Sequence, residues 1–80
     1  MTVTIYSTPT CGFCNQAKAF FQANSIEYTE KDVNADEADA KEMVDKSGQM
    51  SVPVILVEKK GKEEMVIGFN ESKLKELLNL

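Results

Sequence analysis

The sequence predicts one α/β domain over residues 1–80, with the element order β-α-β-α-β-β-α and a four-stranded mixed sheet flanked by helices. Three observations support this fold class. Residues 2–6 alternate and are β-branched, residues 11–24 show helical spacing, and residues 52–57 form a continuous apolar run. A length of 80 residues is the size of one domain, and 42% of the residues are hydrophobic. The βαβ start implies two parallel strands joined by a right-handed crossover.

The first half of the chain alternates strand and helix signals. Residues 2–6 predict the first strand, because β-branched residues favour extended structure. From Cys11 to about Asn24, apolar side chains recur every three or four positions, which predicts an amphipathic helix whose stripe includes Phe13, Ala17, Phe20 and Phe21. Residues 26–32 predict a second strand, with Ile26 and Tyr28 on one face.

The second half predicts a surface helix, a hairpin and a last helix. Asn34 precedes Glu37 by three residues, a relative of the capping box, and predicts a helix over residues 35–47 that stops at Gly48. The run 52–57 predicts a strand buried on both faces, with Pro53 confined to its beginning or to an edge. A turn at 59–62 and a strand at 64–67 complete the hairpin. Asn70 is a good N-cap for a helix whose apolar face comprises Leu74, Leu77 and Leu78.

Composition excludes several classes of function. The formal net charge of −4 and the pI of about 4.7 argue against nucleic-acid binding, which needs a clustered positive surface. No run of about 18 apolar residues predicts a membrane span, and the first residues lack the basic and apolar regions of a signal peptide. We therefore expect a cytoplasmic protein, and we expect it to be a monomer. The absence of histidine removes the commonest general base and the commonest metal ligand.

The spacing of the two cysteines indicates chemistry rather than stapling. Cys11 and Cys14 enclose a four-residue loop, and closing it stabilises a fold by roughly 2 kcal/mol, against about 4.7 kcal/mol for a 100-residue loop. A reducing cytosol would also tend to open such a bond. A pair placed for stability would lie far apart in the sequence.

The position of the motif Cys11-Gly12-Phe13-Cys14, between the first strand and the first helix, gives it a mechanism. Unpaired N–H groups at a helix N-terminus carry partial positive charge and stabilise a thiolate, so the pKa of Cys11 is expected to fall below about 8.5. Cys14 lies one turn further on and can close a disulfide. We predict that Cys11 attacks a substrate disulfide and Cys14 resolves the mixed disulfide. Gly12 leaves space beside the nucleophile, and Phe13 offers an apolar surface to substrate.

The alternatives to this redox interpretation are a zinc site and an inert cysteine pair. A structural zinc ion needs about four ligands, and two cysteines with no histidine fall short of that number, so we predict no metal site. The pair could also be inert, because free cysteine often serves as a small buried hydrophobe.

Three segments resemble the glutaredoxin family, within the thioredoxin-fold superfamily, and the resemblance covers essentially the whole chain. Residues 6–14 (YSTPTCGFC) resemble the glutaredoxin active-site segment. Ser51-Val52-Pro53 resembles the family's Thr-Val-Pro segment, whose proline is cis. The resemblance implies that Pro53 follows a cis bond and that Val52 offers its backbone to an extended substrate segment beside Cys11, a short β-type pairing.

The last of the three segments, Gly68-Phe69-Asn70-Glu71, lies where the family places Gly-Gly and an acidic pair. In members that use glutathione, the second glycine and the acidic pair bind the tripeptide. Here Phe69 replaces that glycine, and one carboxylate remains. A Phe after Gly68 resembles small redoxins that serve ribonucleotide reductase and are commonly reduced by thioredoxin reductase. The resemblance thus favours thioredoxin reductase over glutathione as electron donor, with no tightly bound cofactor. The alternative for Phe69 is simple core packing.

Two rival functions stay open beside reduction of protein disulfides. The Cys-Gly-Phe sequence also resembles monothiol glutaredoxins, which carry an iron–sulfur cluster between two chains with glutathione as co-ligand. Cys14, in place of their serine, favours dithiol exchange. The second rival is a redox-inert interaction module that has kept the fold. Asp32 is a candidate for proton transfer to Cys14, although a carboxylate at a strand end is more often solvated.

Overall fold

The computed structural model describes residues 2–80 and confirms the predicted α/β class and element order. The elements are β1 (Thr2–Ser7), α1 (Gly12–Ala23), β2 (Thr29–Asp32), α2 (Glu37–Ser47), β3 (Val54–Lys59), β4 (Lys62–Ile67) and α3 (Glu71–Leu78). None of the helices within this range has the length and hydropathy that crossing a bilayer requires.

The four strands form one mixed sheet in the spatial order β2-β1-β3-β4. β1 and β2 are parallel, with Ser7 opposite Asp32. β3 is antiparallel to both of its neighbours, and Val54 lies opposite Tyr6 on β1 and Ile67 on β4. The ends of β1, β2 and β4 therefore meet the beginning of β3 at one end of the sheet. The loop that carries the two cysteines leaves β1 at this same end.

Alternation along the strands divides the interior into two apolar clusters. One face of the sheet packs against α1 and α3; its buried residues are Val3, Ile5, Ala17, Phe20, Phe21, Ile55, Val57, Val66, Leu74 and Leu78. The opposite face packs against α2 through a smaller cluster of Tyr6, Met43 and Val54. Because β3 is central, all four residues from Val54 to Val57 are buried, as the continuous apolar run predicts.

Turns and caps follow the predicted chemistry at most positions. Lys60 and Gly61 connect β3 to β4 with positive φ angles of 47° and 81°, the geometry of a tight two-residue hairpin turn. Gly48 ends α2 with a φ of 71°, in the left-handed region that glycine adopts readily. Asn70 caps α3, and its Oδ1 accepts a hydrogen bond from the Lys73 N–H at 3.1 Å.

The structure corrects several predicted boundaries. β2 begins at Thr29 rather than at residue 26, yet Ile26 and Tyr28 still pack against the larger cluster. The N-cap of α2 is Asp36, whose Oδ1 accepts the Ala38 N–H at 2.9 Å, and not Asn34. The hairpin strands run over 54–59 and 62–67, because its connection is shorter than predicted. Pro53 directly precedes β3, at the beginning that the sequence allowed.

Candidate active site

Cys11 is the N-cap residue of α1. Its backbone is extended, with a φ of −84° and a ψ of 112°, and its Sγ accepts a hydrogen bond from the Cys14 N–H at 3.1 Å. The carbonyl of Cys11 accepts the Asn15 N–H at 3.2 Å, which begins the helical hydrogen bonding. The sulfur thus occupies the place that a capping oxygen usually takes, against the N–H groups that α1 leaves unpaired.

Cys11 and Cys14 form a disulfide, with their Cα atoms 5.2 Å apart. The two side chains differ in exposure. Cys14 is fully buried, with 0% of its surface accessible, whereas Cys11 is half-buried. Cys11 is therefore the cysteine of the pair that an incoming reagent can approach, because Cys14 has no accessible surface.

The segment Val52-Pro53 and the beginning of Gly68-Phe69-Asn70 lie together at the end of the sheet that carries the cysteine loop. The bond between Val52 and Pro53 is cis, as the resemblance implied. The Gly68 N–H donates to the Pro53 carbonyl at 2.8 Å, which extends the contact between β3 and β4 beyond their last ladder pair. Gly68 itself has a φ of 79°, a conformation that residues with a Cβ rarely adopt.

Three large apolar side chains are exposed on segments that reach this end. Phe13 is 62% exposed, Met50 79% and Ile67 54%. The exposure of Phe13 corrects the predicted helix stripe, because the buried residue of the first turn of α1 is Cys14. Met50 was not singled out by the sequence. Its only signal there was its position two residues before Val52.

Phe69 and Asn70 have structural contacts. Phe69 is half-buried and packs against the larger apolar cluster, with its ring edge-on to Phe20 at a centroid distance of 5.9 Å. Asn70 uses its side-chain oxygen to cap α3. The ring of Phe69 therefore has a packing role in the larger cluster.

A polar cluster that sequence reasoning missed lies on the α1 side of the sheet. Ser7 Oγ donates to Glu30 Oε2 at 2.9 Å, and Lys18 Nζ donates to the same oxygen at 2.6 Å. The hydrogen bond from Lys18 chiefly, and that from Ser7 next, lower the pKa of Glu30 below its usual value. Asp32 is instead engaged locally, since its Oδ1 accepts the N–H groups of Asn34 and Ala35. The spacing of Lys18 from Cys14, one helical turn, was the available signal.

Comparison with known proteins decides the family. The family model described as glutaredoxin matches residues 3–62, three quarters of the chain, including the cysteine motif and Val52-Pro53. This chain belongs to the glutaredoxin family. A relative in Clostridium pasteurianum, an uncharacterised glutaredoxin-like 8.6 kDa protein in the rubredoxin operon, is 32% identical over 76 residues, covering 95% of this chain and 96% of the relative.

Solved structures of a thioredoxin-like protein and of a glutaredoxin agree with this assignment. The thioredoxin-like protein BC3987 superposes with a TM-score of 0.83 at 30% identity, covering 95% of this chain and 99% of its own. The glutaredoxin from Archaeoglobus fulgidus gives a TM-score of 0.77 at 29% identity, covering 98% and 86%. The glutaredoxin family carries out thiol–disulfide redox chemistry, generally with glutathione as reductant. Within residues 2–80, no group of three or more cysteine, aspartate or glutamate side chains is arranged to hold a metal ion.

Proposed function

We propose that this glutaredoxin is a dithiol oxidoreductase that reduces disulfides in other proteins, with Cys11 as the attacking thiolate and Cys14 as the resolving thiol. The observation that supports this assignment is the unequal exposure of two cysteines joined by a disulfide: Cys11 is half-buried at the N-cap of α1, and Cys14 is fully buried. The proposal treats residues 1–80 as one domain that works as a monomer in the cytoplasm, where a reducing pool keeps the dithiol available.

Each step of the cycle exchanges one sulfur–sulfur bond for another. The Cys11 thiolate attacks a substrate disulfide, forming a mixed disulfide and releasing one substrate thiol. The Cys14 thiolate then attacks the Cys11 sulfur, which closes the Cys11–Cys14 bond and releases the second substrate thiol. The substrate gains two electrons and two protons, and the protein loses them. The helix N-terminus serves the first step, because its N–H groups stabilise the thiolate that begins the attack.

The surroundings of the motif suit an extended protein segment. The backbone of Val52, which precedes the cis bond to Pro53, is proposed to pair with the substrate chain next to the reacting disulfide. The exposed ring of Phe13 offers apolar contact surface directly beside Cys11. Gly68 is hydrogen-bonded to Pro53, so the chain around it forms the other wall of this site.

The electron donor is proposed to be thioredoxin reductase rather than glutathione. In family members that use glutathione, a glycine and an acidic pair bind the tripeptide. Here Phe69 stands at that glycine and packs on Phe20, and Asn70 directs its side chain to the α3 cap. Neither side chain supplies a carboxylate, so Glu71 alone remains of the acidic pair that binds the tripeptide. Small redoxins that serve ribonucleotide reductase also have a phenylalanine after this glycine. We therefore propose ribonucleotide reductase as the client.

Reduction of insulin disulfides tests the roles of the two cysteines. With dithiothreitol as the final donor, the wild-type protein is expected to accelerate insulin precipitation, and Cys11→Ser is expected to abolish the acceleration. Cys14→Ser is the matched control, because it keeps the nucleophile and is expected to accumulate a mixed disulfide that mass spectrometry detects. Unchanged activity of Cys11→Ser would rule out the mechanism.

The donor is tested by mixing the oxidised protein with either reducing system. Thioredoxin reductase with NADPH is expected to reduce the Cys11–Cys14 disulfide faster than glutathione with glutathione reductase and NADPH, as followed by NADPH absorbance. Omitting the protein gives the background rate of each system. Faster turnover with glutathione would overturn the assignment of the donor and leave the roles of the cysteines intact.

A further inference from the structure

Ser7 is a buried polar residue beside the active-site end of the sheet. It is the last residue of β1, and 1% of its surface is accessible. Its hydroxyl and the Lys18 ammonium both donate to Glu30 Oε2, at 2.9 Å and 2.6 Å. These three residues, the Ser7–Glu30–Lys18 cluster, join β1, β2 and α1. The Ser7 hydroxyl holds the Glu30 carboxylate, and the same carboxylate oxygen accepts from the Lys18 ammonium.

The cluster lies on the side of the sheet that Cys14 faces. Ser7 lies two residues after Ile5 on β1 and therefore shares its face of the sheet, which is the face covered by α1. Glu30 pairs with Ile5 across the β1–β2 ladder and lies on the same face. Lys18 follows Cys14 by four residues on α1, and residues at this spacing are neighbours on one helix face. The side chain of Lys18 therefore starts one helical turn from Cys14, on the same face of α1.

We propose that Lys18, positioned by Glu30 and Ser7, stabilises the thiolate of Cys14 and so speeds the resolving step of the reaction. This inference rests on the proposed function, because it assigns a role within the same thiol–disulfide cycle. In that step, Cys14 loses its proton to solvent, its sulfur bonds to the Cys11 sulfur, and the bond from Cys11 to the substrate breaks. The departing substrate thiolate takes a proton from solvent.

The resolving step needs such a cation because burial works against it. A fully buried thiol resists ionisation, since its charged form loses hydration, and only the thiolate attacks. Charged groups on this side of the sheet, near the end of β1, include Lys18 on α1 and both Glu30 and Asp32 on β2. Asp32 accepts hydrogen bonds from its own turn. Removing the Lys18 charge would leave the Glu30 carboxylate uncompensated. Both changes disfavour a nearby thiolate, so the expected shift in the pKa of Cys14 is upward.

Stopped-flow reaction of the reduced protein with 5,5′-dithiobis(2-nitrobenzoate) separates the two cysteines. The first release of thionitrobenzoate at 412 nm reports attack by Cys11, and the second reports attack by Cys14 on the adduct. Measuring the rate constant of both phases over a range of pH gives the pH midpoint of each rate constant. Cys14→Ser is the control that loses the second phase. A missing first phase in the wild-type protein would contradict the proposed function, independently of Lys18.

Lys18→Met keeps most of the side-chain stem and removes the charge. We expect the midpoint of the second phase to rise by about half a pKa unit, which makes resolution about threefold slower below the midpoint, with the first phase unchanged. Lys18→Arg is expected to retain the wild-type midpoint. Lys41→Met is the matched control, because Lys41 is exposed on α2, on the other side of the sheet.

The test uses the pH midpoint of the second phase and not the stability of the variants. A second-phase midpoint for Lys18→Met equal to that of Lys41→Met would overturn the proposal, since a purely structural Lys18 would not move it. If Lys18→Met does not fold, as judged by circular dichroism, Lys18→Gln provides the same comparison. An upward shift of the second-phase midpoint in either variant, together with a wild-type midpoint in Lys18→Arg, supports the proposal.

Discussion

The two sides of the sheet hold their helices by different means. Within residues 2–80, the apolar cluster between the sheet and helices α1 and α3 contains ten buried residues, among them Phe20 and Phe21 of α1. α2 covers three buried residues, and ion pairs surround it: Glu42 binds Lys31 at 2.7 Å and Lys46 at 3.8 Å, and Lys46 also lies 3.8 Å from Glu63. Exposed ion pairs contribute little, so most of the stabilisation lies on the side of α1.

The difference matches what each helix has to do. Cys11 benefits from the N-terminus of α1 only if that terminus stays fixed relative to the sheet, because the effect of a helix end is confined to its first turn. The large apolar cluster provides that fixed platform. α2 carries none of the site residues, and elements with few buried contacts are the ones that open locally at low free energy.

Truncation of one buried side chain on each side gives the largest expected difference in stability. Phe21→Ala is expected to lower the free energy of unfolding by about 3–5 kcal/mol, because a fully buried ring leaves a cavity. Met43→Ala, in the smaller cluster, is expected to cost about 2 kcal/mol. Urea unfolding of both variants measures these values. A larger loss for Met43→Ala would reverse the comparison of the two sides.

Loss of an N-cap gives a smaller effect on each side. Asn70→Ala on α3 and Asp36→Ala on α2 each remove a side-chain oxygen that accepts a helix N–H, at a cost of about 1 kcal/mol. Amide hydrogen exchange distinguishes the two sides of the sheet. After Asp36→Ala, we expect faster exchange of the amides of α2 only. Serine at each position is the matched control, because it can still cap. Accelerated exchange spreading into α1 after Asp36→Ala would show that the two sides are coupled.

The smallest expected effect is the loss of folding stability at low pH, which involves one carboxylate on each side of the sheet. Hydrogen bonds from Lys18 first, and Ser7 second, lower the pKa of Glu30, and the hydrogen bond from Lys31 lowers the pKa of Glu42. A carboxyl group with a lowered folded pKa stabilises the protein above its unfolded value, 4.5, and this stabilisation is lost as pH falls further. Each contribution is expected to be below about 1 kcal/mol, because both groups are partly exposed.

Urea unfolding at pH 7 and at about pH 3 measures this acid dependence. Glu30→Gln and Glu42→Gln are each expected to be less sensitive to the change in pH than the wild type, since glutamine does not titrate. Glu37→Gln, at the exposed start of α2, is a control on the same helix as Glu42. An acid sensitivity of Glu30→Gln equal to that of the wild type would show that the contacts with Lys18 and Ser7 add no stability.

Local chemistry made much of the fold predictable. The β-branched residues of β1 and the apolar run of β3 specify strands by composition, and Gly48 and Asn70 specify helix ends by backbone and capping preferences. The boundary of β2 was wrong because alternation reports burial and not ladder pairing. Ile26 and Tyr28 are packed against the core from an extended segment that precedes the strand.

The candidate site was also predictable only in part. The position of Cys11 at the start of a helix could be predicted, because the spacing of apolar residues changes from that of a strand to that of a helix at the motif. Helical spacing wrongly placed Phe13 on the buried stripe, whereas its position beside Cys11 in the motif correctly indicated a ring that is open to contact. The Ser7–Glu30–Lys18 cluster joins three elements, so it depends on the parallel register of β1 and β2, which a sequence pattern does not specify.

The most direct test of the central claim is the rate at which iodoacetamide alkylates Cys11 in the reduced protein as a function of pH. Cys14→Ser isolates the single thiol, and mass spectrometry confirms the modified residue. Because the sulfur caps α1 and accepts the residue-14 N–H, the midpoint is expected to lie below the ordinary thiol value of about 8.5. A midpoint at or above that value would contradict the account.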